Sequence, residues 1–226
     1  MNILLTNDDG YFAEGISLLY DLLSKHHHVV IVAPKTVMSA KSVSIIVDRD
    51  VEVKKINDHT FMMDATPADC VAFGLSSLSI KFDLVVSGCN HGLNVSYDTM
   101  YSGTIGACLQ ALTYRVPAIA ISCENNFDIV KENLDQVIKY IEENKLLSTE
   151  YLLNINFPVG EKVNEIKLTH IHYRKENTYY VHNGNDMYRA LRNINDKNCV
   201  DTDSDVYAIY HNNISITKIR KTSDVY

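Results

Sequence analysis

Residues 2–34 read NILLTNDDGYFAEGISLLYDLLSKHHHVVIVAP, and the spacing of their apolar residues decides the fold. Asn2 to Thr6 is a short buried strand. Ile16, Leu18, Leu19, Leu22 and Leu23 then recur at helical spacing up to Lys25, and His28 to Ala33 forms a second apolar run stopped by Pro34. Strand, helix and strand within this length make a βαβ unit, which in one sheet implies parallel pairing and a right-handed crossover.

The alternation continues outward. Val43 to Val47, Val51 to Ile56 and Thr60 to Met63 read as shorter strands, and a helix starts near Thr66 with Pro67 at its first position. Phe82 to Val86 is strand, Ser102 to Tyr114 helix, Ala118 to Ser122 strand and Phe127 to Asn144 an amphipathic helix. The expectation is an α/β, doubly wound core with a mostly parallel sheet over residues 1–150. From Tyr151 the pattern changes to strands at Leu152 to Asn156, Ile166 to His172 and Ile214 to Ile219, with a polar, tyrosine-rich stretch between. Residues 151–226 are therefore expected to be a β-rich extension with a projecting hairpin and a tail.

Composition bounds the function. With 226 residues, 46% hydrophobic and 22% charged, the chain buries a proper core, which excludes wholesale disorder, collagen and coiled coil. No apolar run approaches the roughly 18 residues of a membrane span. A formal charge of −7 argues against a nucleic-acid polymer or membrane surface as partner. Cys70, Cys89, Cys108, Cys123 and Cys199 are scattered and odd in number, without a CxxC, so they read as reduced, mostly buried thiols. Met1 to Gly10 lacks the pattern of a secretory signal, and the expected location is the cytoplasm.

In an open parallel sheet, ligands sit beyond the carboxyl ends of the strands. Three loops there carry unusual polar groups. The first is Thr6, Asn7, Asp8, Asp9, Gly10, whose adjacent carboxylates repel one another and suit a hard divalent cation; taken alone, an Asp-Gly turn capping the helix remains the blander reading. The second, Pro34 to Ser42, offers hydroxyls for a metal shell and two lysines, although by itself it is simply a polar loop. The third, Ser87 to Asn94, carries Gly88, Asn90, His91, Gly92 and Asn94; His91 reads as a solvated loop residue or a substrate contact. Beyond it Ser102, Gly103 and Thr104 open a helix, as an ordinary N-cap or as an anion cradle. A carboxylate pair beside an anion cradle suggests metal-assisted phosphoryl chemistry. P-loop, GxGxxG, HExxH and GxSxG motifs are absent, and His26 to His28 reads as polar helix termination.

Taken together these segments resemble a known family, the SurE nucleotidases. The likeness lies in ILLTNDDG at Ile3 to Gly10, VAP at Val32 to Pro34 with Ser39 following, and TPADCV at Thr66 to Val71. It continues in DLVVSGCNHGLN at Asp83 to Asn94, YSGT at Tyr101 to Thr104 and PAIAIS at Pro117 to Ser122, with weaker matches from Leu152 to Pro158 and near the end. The resemblance implies a Rossmann-like core and one divalent metal ion, Mg²⁺ or Mn²⁺, per subunit, held by Asp8, Asp9, Ser39 and Asn90. It implies a phosphate site lined by Asn94, Ser102, Gly103 and Thr104, with Asp8, Asp9 and Asn94 as catalytic residues. The implied activity is hydrolysis of nucleoside 5′- and 3′-monophosphates, with short polyphosphate as a further substrate. The implied assembly is a homodimer or tetramer that exchanges C-terminal segments. Ala40 and Ala65 stand where the family usually has glycine, and Cys89 where isoleucine is common. Tyr11, Tyr97 and Tyr101 are candidates for stacking on a nucleobase. An aspartyl-phosphate route is disfavoured because Asp8 and Asp9 are adjacent rather than two apart, and a non-catalytic nucleotide-binding or metal-binding module is the competing class.

Overall fold

The computed structural model describes residues 1–124, 126–174, 178–192 and 196–220. β1 (Asn2–Thr6), α1 (Glu14–Leu23) and β2 (His28–Pro34) form the βαβ unit expected from the opening sequence, with β1 and β2 parallel and Ile3 opposite Val29. Next come β3 (Val53–Asn57), β4 (Thr60–Met63), α2 (Pro67–Ser77), β5 (Leu84–His91), α3 (Gly103–Thr113), β6 (Ala118–Cys123), α4 (Asp128–Glu143) and β7 (Tyr151–Asn156). β8 (Ile166–Thr169), β9 (Thr178–His182), β10 (Tyr188–Arg192), α5 (Asp205–Tyr210) and β11 (Ile214–Arg220) complete the chain.

Nine strands share one sheet in the order β3-β4-β2-β1-β5-β6-β7-β11-β8. Pairing is parallel from β4 through β7, while β3 and β11 each run antiparallel to a neighbour. The two-residue period of β1 explains why both faces need covering. Ile3 and Leu5 join α1 and α4 in one core, with Leu19, Leu134 and Val137, whereas Leu4 faces α2 and α3, with Val71, Ile105 and Leu112. The start of α2 is a capping box: Thr66 Oγ1 accepts from Asp69 N at 3.1 Å, Asp69 Oδ2 accepts from Thr66 N at 3.2 Å, and Pro67 holds the first helical position.

Three expectations need correction. Val43 to Val47 forms no strand: Val43, Ile45 and Val47 are exposed, and Ile46 N donates to the Asp69 carboxylate instead of a ladder. β5 runs past Val86 to His91, because after an irregularity at Gly88 and Cys89 it resumes pairing with β6, Asn90 opposite Ser122. β8 stops at Thr169, and His170 makes only an isolated bridge to Ser204.

After residue 150, β7, β11 and β8 extend the main sheet, and β9 with β10 forms a separate antiparallel hairpin. The short helix α5, N-capped by Ser204 and burying Val206 and Ile209, was not anticipated. The expected tail, residues 221–226, lies outside the described residues. All five cysteines are free, four of them buried. No helix among the described residues is long and apolar enough to cross a membrane.

Candidate active site

The site lies where β1, β2 and β5 end and α3 begins. Asp8, Ser39, Asn90, Asn94 and Ser102 line one cavity of about 230 Å³, together with Ala40, His91, Gly92, Leu93, Asp98, Tyr101 and Arg192. Three of the four expected metal ligands thus share a wall with two of the expected phosphate contacts. Asp9, the fourth, is not among the lining residues; its Oδ2 accepts from His91 N at 3.0 Å.

Backbone contacts hold the loops together. Asp8 O accepts from Met38 N at 2.7 Å, which ties the end of β1 to the loop bearing Ser39. Ser42 then joins that loop to the approach to α3, with Ser42 N donating to Tyr101 O and Ser42 Oγ to Met100 O, both at 2.9 Å. Ala40 has φ +57°, the left-handed region that favours glycine, so its methyl group strains the turn beside Ser39. Gly103 is tightly placed, since a Cβ there would lie 2.8 Å from Asp8 Cβ.

Asp8 is the electrostatic centre. It is 4% exposed, and burial raises its carboxyl pKa from 3.8 to about 6. The hydroxyl of Thr104 opposes this by donating to Asp8 Oδ1 at 2.7 Å, while the charge of Asp9 adds to it. Thr104 itself is buried, and its hydroxyl is turned to Asp8. Asn90 Nδ2 donates to Gly92 O at 2.7 Å, which leaves the amide oxygen as its ligating atom. Among the described residues no three His, Cys, Asp or Glu side chains gather into a metal-holding group. In the cavity Asp8, Ser39 and Asn90 offer a carboxylate, a hydroxyl and an amide oxygen, hard donors that would suit Mg²⁺ or Mn²⁺ better than a soft ion.

Asn94 is fixed by a network that sequence reading missed. Its Nδ2 donates to Ser122 Oγ at 2.8 Å, its backbone N donates to Asn156 Oδ1 at 2.8 Å, and its carbonyl accepts from Asn154 Nδ2 and Asn156 Nδ2. The available signal was the pair of asparagines two apart in the apolar strand β7, which face the same side. Of the aromatic candidates Tyr101 lines the cavity, whereas Tyr11 packs against the core and Tyr97 meets Tyr173 edge-on.

The charge state of Asp8 predicts a pH signature in protein stripped of divalent metal. Its folded-state pKa, about 6, exceeds the unfolded value of 3.8, so between these values the folded chain keeps a proton that the unfolded chain has lost. Stability is then greatest below pH 4 for this group and falls as pH rises through 6, by up to about 3 kcal/mol. Denaturant unfolding at pH 4.5 and 7.5 should show this loss in the wild type and not in Asp8→Asn. Equal pH dependence in the two proteins would contradict the assignment.

The family model of Survival protein SurE matches residues 3–178. The chain belongs to the SurE family. A "5′-nucleotidase SurE" of Clostridium botulinum (strain 657 / Type Ba4) is 35% identical over 237 residues, covering 97% of this chain and 92% of that protein. Another, from the Loch Maree / Type A3 strain, is 36% identical over 236 residues with the same coverage. The crystal structure of the SurE protein from Aquifex aeolicus superposes with a TM-score of 0.85 at 29% identity, covering 99% of this chain and 95% of that one. The doubly wound core and the additional C-terminal strands are thus those of a SurE protein.

Proposed function

We propose that the chain is a divalent-metal-dependent phosphatase that hydrolyses nucleoside 5′-monophosphates, and also 3′-monophosphates, to nucleoside and phosphate. The observation that carries this reading is the shared cavity, in which Asp8, Ser39 and Asn90 face Asn94 and the N-cap of α3. The names of the Clostridium relatives support the 5′-nucleotidase activity.

Asp8, Asp9, Ser39 and Asn90 would hold one Mg²⁺ or Mn²⁺ per subunit, which when bound neutralises phosphoryl charge and makes a water more acidic. The other groups act on the substrate directly. Ser102 Oγ accepts from Ile105 N at 3.2 Å, so its own proton is available to a phosphoryl oxygen. Asn94 Nδ2 has a second hydrogen beyond the one given to Ser122, and the start of α3 at Gly103 adds the positive end of the helix dipole, while the Thr104 amide and hydroxyl are both turned to the Asp8 carboxylate. Asp8 or Asp9 orients the attacking water and takes its proton. Thr104 keeps Asp8 in place for that role.

In this reading residues 1–150 supply the catalytic loops, and residues 151–226 complete the sheet and mediate a dimer or tetramer. Exposed Tyr179, Tyr180, Met187 and Tyr188 on the β9–β10 hairpin support an intersubunit role for that segment. Five free thiols support a cytoplasmic location.

The test is phosphate release from a panel of 5′- and 3′-nucleoside monophosphates, comparing chelator-treated protein with samples given Mg²⁺ or Mn²⁺. Metal-restored release is the expected result. Tight nucleotide binding without turnover under any metal would replace the enzyme with a binding module.

A further inference from the structure

The described residues of the β9–β10 hairpin are largely exposed. Thr178 to His182 are all exposed, as are Tyr188, Arg189 and Ala190, yet the last residue of β10, Arg192, forms part of the active-site wall. Arg192 Nη2 donates to Asp98 Oδ1 at 2.6 Å, and the guanidinium lies 5.9 Å from the centre of the Tyr101 ring. Asp98 belongs to the short 3₁₀ turn Ser96–Met100, and Tyr101 immediately precedes the N-cap of α3. Arg192 therefore stands beside the mouth of the anion cradle.

Two features of this contact point to a ligand. Among the described residues lining the cavity, Arg192 is the only arginine or lysine, while Asp8 and Asp98 bring carboxylates. A nucleoside monophosphate arrives as a near-dianion, and a guanidinium fork matches phosphoryl oxygens in shape and charge. The second feature is that Asp98 has another cation. Its Oδ2 accepts from Arg174 Nη2 at 2.8 Å, and Arg174, with 11% of its side chain exposed, also pairs with Asp196. Arg192 is the more exposed partner, at 36%, so Asp98 stays compensated when Arg192 turns away.

We propose that Arg192 is a substrate-binding residue, exchanging Asp98 for the phosphoryl oxygens of the bound monoester and so coupling the hairpin to site occupancy. This rests on the phosphatase reading above and extends it to a residue more than a hundred positions after the β1 loop.

The experiment uses full-length, Mg²⁺-restored protein and two substrates, a nucleoside 5′-monophosphate and p-nitrophenyl phosphate. Arg192→Gln should raise KM for both about tenfold with kcat within about threefold, and weaken inhibition by inorganic phosphate by the same factor, while Arg192→Lys, which keeps the charge and loses the fork, recovers part of the loss. A melting temperature close to wild type, expected at this hairpin end, separates the effect from misfolding. Unchanged KM and phosphate inhibition would overturn the inference. So would a loss confined to the nucleotide, which would place the guanidinium on the nucleoside, or a fall in kcat alone. If Arg192→Gln does not fold, Arg192→Met is read by phosphate inhibition in its place, with about tenfold weakening expected and unchanged inhibition overturning the inference. An inactive wild type under every metal overturns the proposed function and this inference together, whereas an active wild type with a silent Arg192→Gln overturns this inference alone.

Discussion

Asp8→Asn is expected to lower metal-restored phosphate release by about a thousandfold, while the metal-free protein becomes as stable as the wild type at neutral pH or more so. The two halves have one cause. Asp8 is buried, and its carboxyl titrates near 6 because desolvation outweighs the Thr104 hydrogen bond. Above that pH the fold carries a buried charge next to the charge of Asp9. The amide substitution is nearly isosteric, keeps an oxygen for the Thr104 hydroxyl and removes the charge, so the cost of burial disappears. The same change removes a charged oxygen donor from the proposed cation shell and a candidate proton acceptor from the cavity. Steady-state kinetics over a Mg²⁺ titration, with denaturant unfolding in chelator, measure both effects. Wild-type turnover from Asp8→Asn would remove Asp8 from the machinery. A large loss of stability would show instead that its carboxylate holds the fold together.

The legibility of this site in sequence followed the range of the interactions. The β1–α1–β2 unit was readable because its signals are local: Ile3, Leu4 and Leu5 feed both faces, and Ile16, Leu19 and Leu23 repeat at helical spacing. The capping box at Thr66 is local as well. Ser87 to His91 misled because glycine and polar residues after an apolar run look like a turn, whereas pairing with β6 carries the strand through them. Val43 to Val47 misled in the opposite direction. Its alternation is strand-like, but β3 is the strand that pairs with β4, and the amide of Ile46 is drawn to the Asp69 carboxylate of α2 instead of a ladder.

Asp8, Ser39, Asn90, Asn94 and Ser102 were individually ambiguous as a turn, a polar loop and a helix cap. Their meeting in one cavity is what gives them a common chemistry. Arg174 and Arg192 had no local signal, being 76 and 94 positions from the Asp98 they bind. Their role became visible only once the hairpin was placed.

Gly106→Ala is the second large effect, and it tests whether α3 holds the Ser39 loop in register with the site. Glycine inside a helix ordinarily costs up to about 1 kcal/mol relative to alanine, so helix propensity alone predicts stabilisation. The surroundings reverse the sign. A Cβ on Gly106 would overlap the Ser42 carbonyl and lie 2.8 Å from Val43 N, and these are backbone atoms that no rotamer change can move. Either α3 or the loop must shift, at a net cost of about 3 kcal/mol. The loop is the weaker partner. It is tied to the approach to α3 by the Ser42 bonds to Met100 O and Tyr101 O, and it carries Ala40 already in the left-handed region. Displacing it draws Ser39 away from Asp8 and Asn90, so metal affinity and phosphate release should fall with the melting temperature. Raising Mg²⁺ should restore part of the activity, because mass action favours the residual cation shell. A variant as stable as the wild type, with unchanged metal dependence, would show that the loop keeps its place without the close approach of Gly106. Stability lost with metal dependence intact would show that α3 yields instead, leaving Ser39 where it stands.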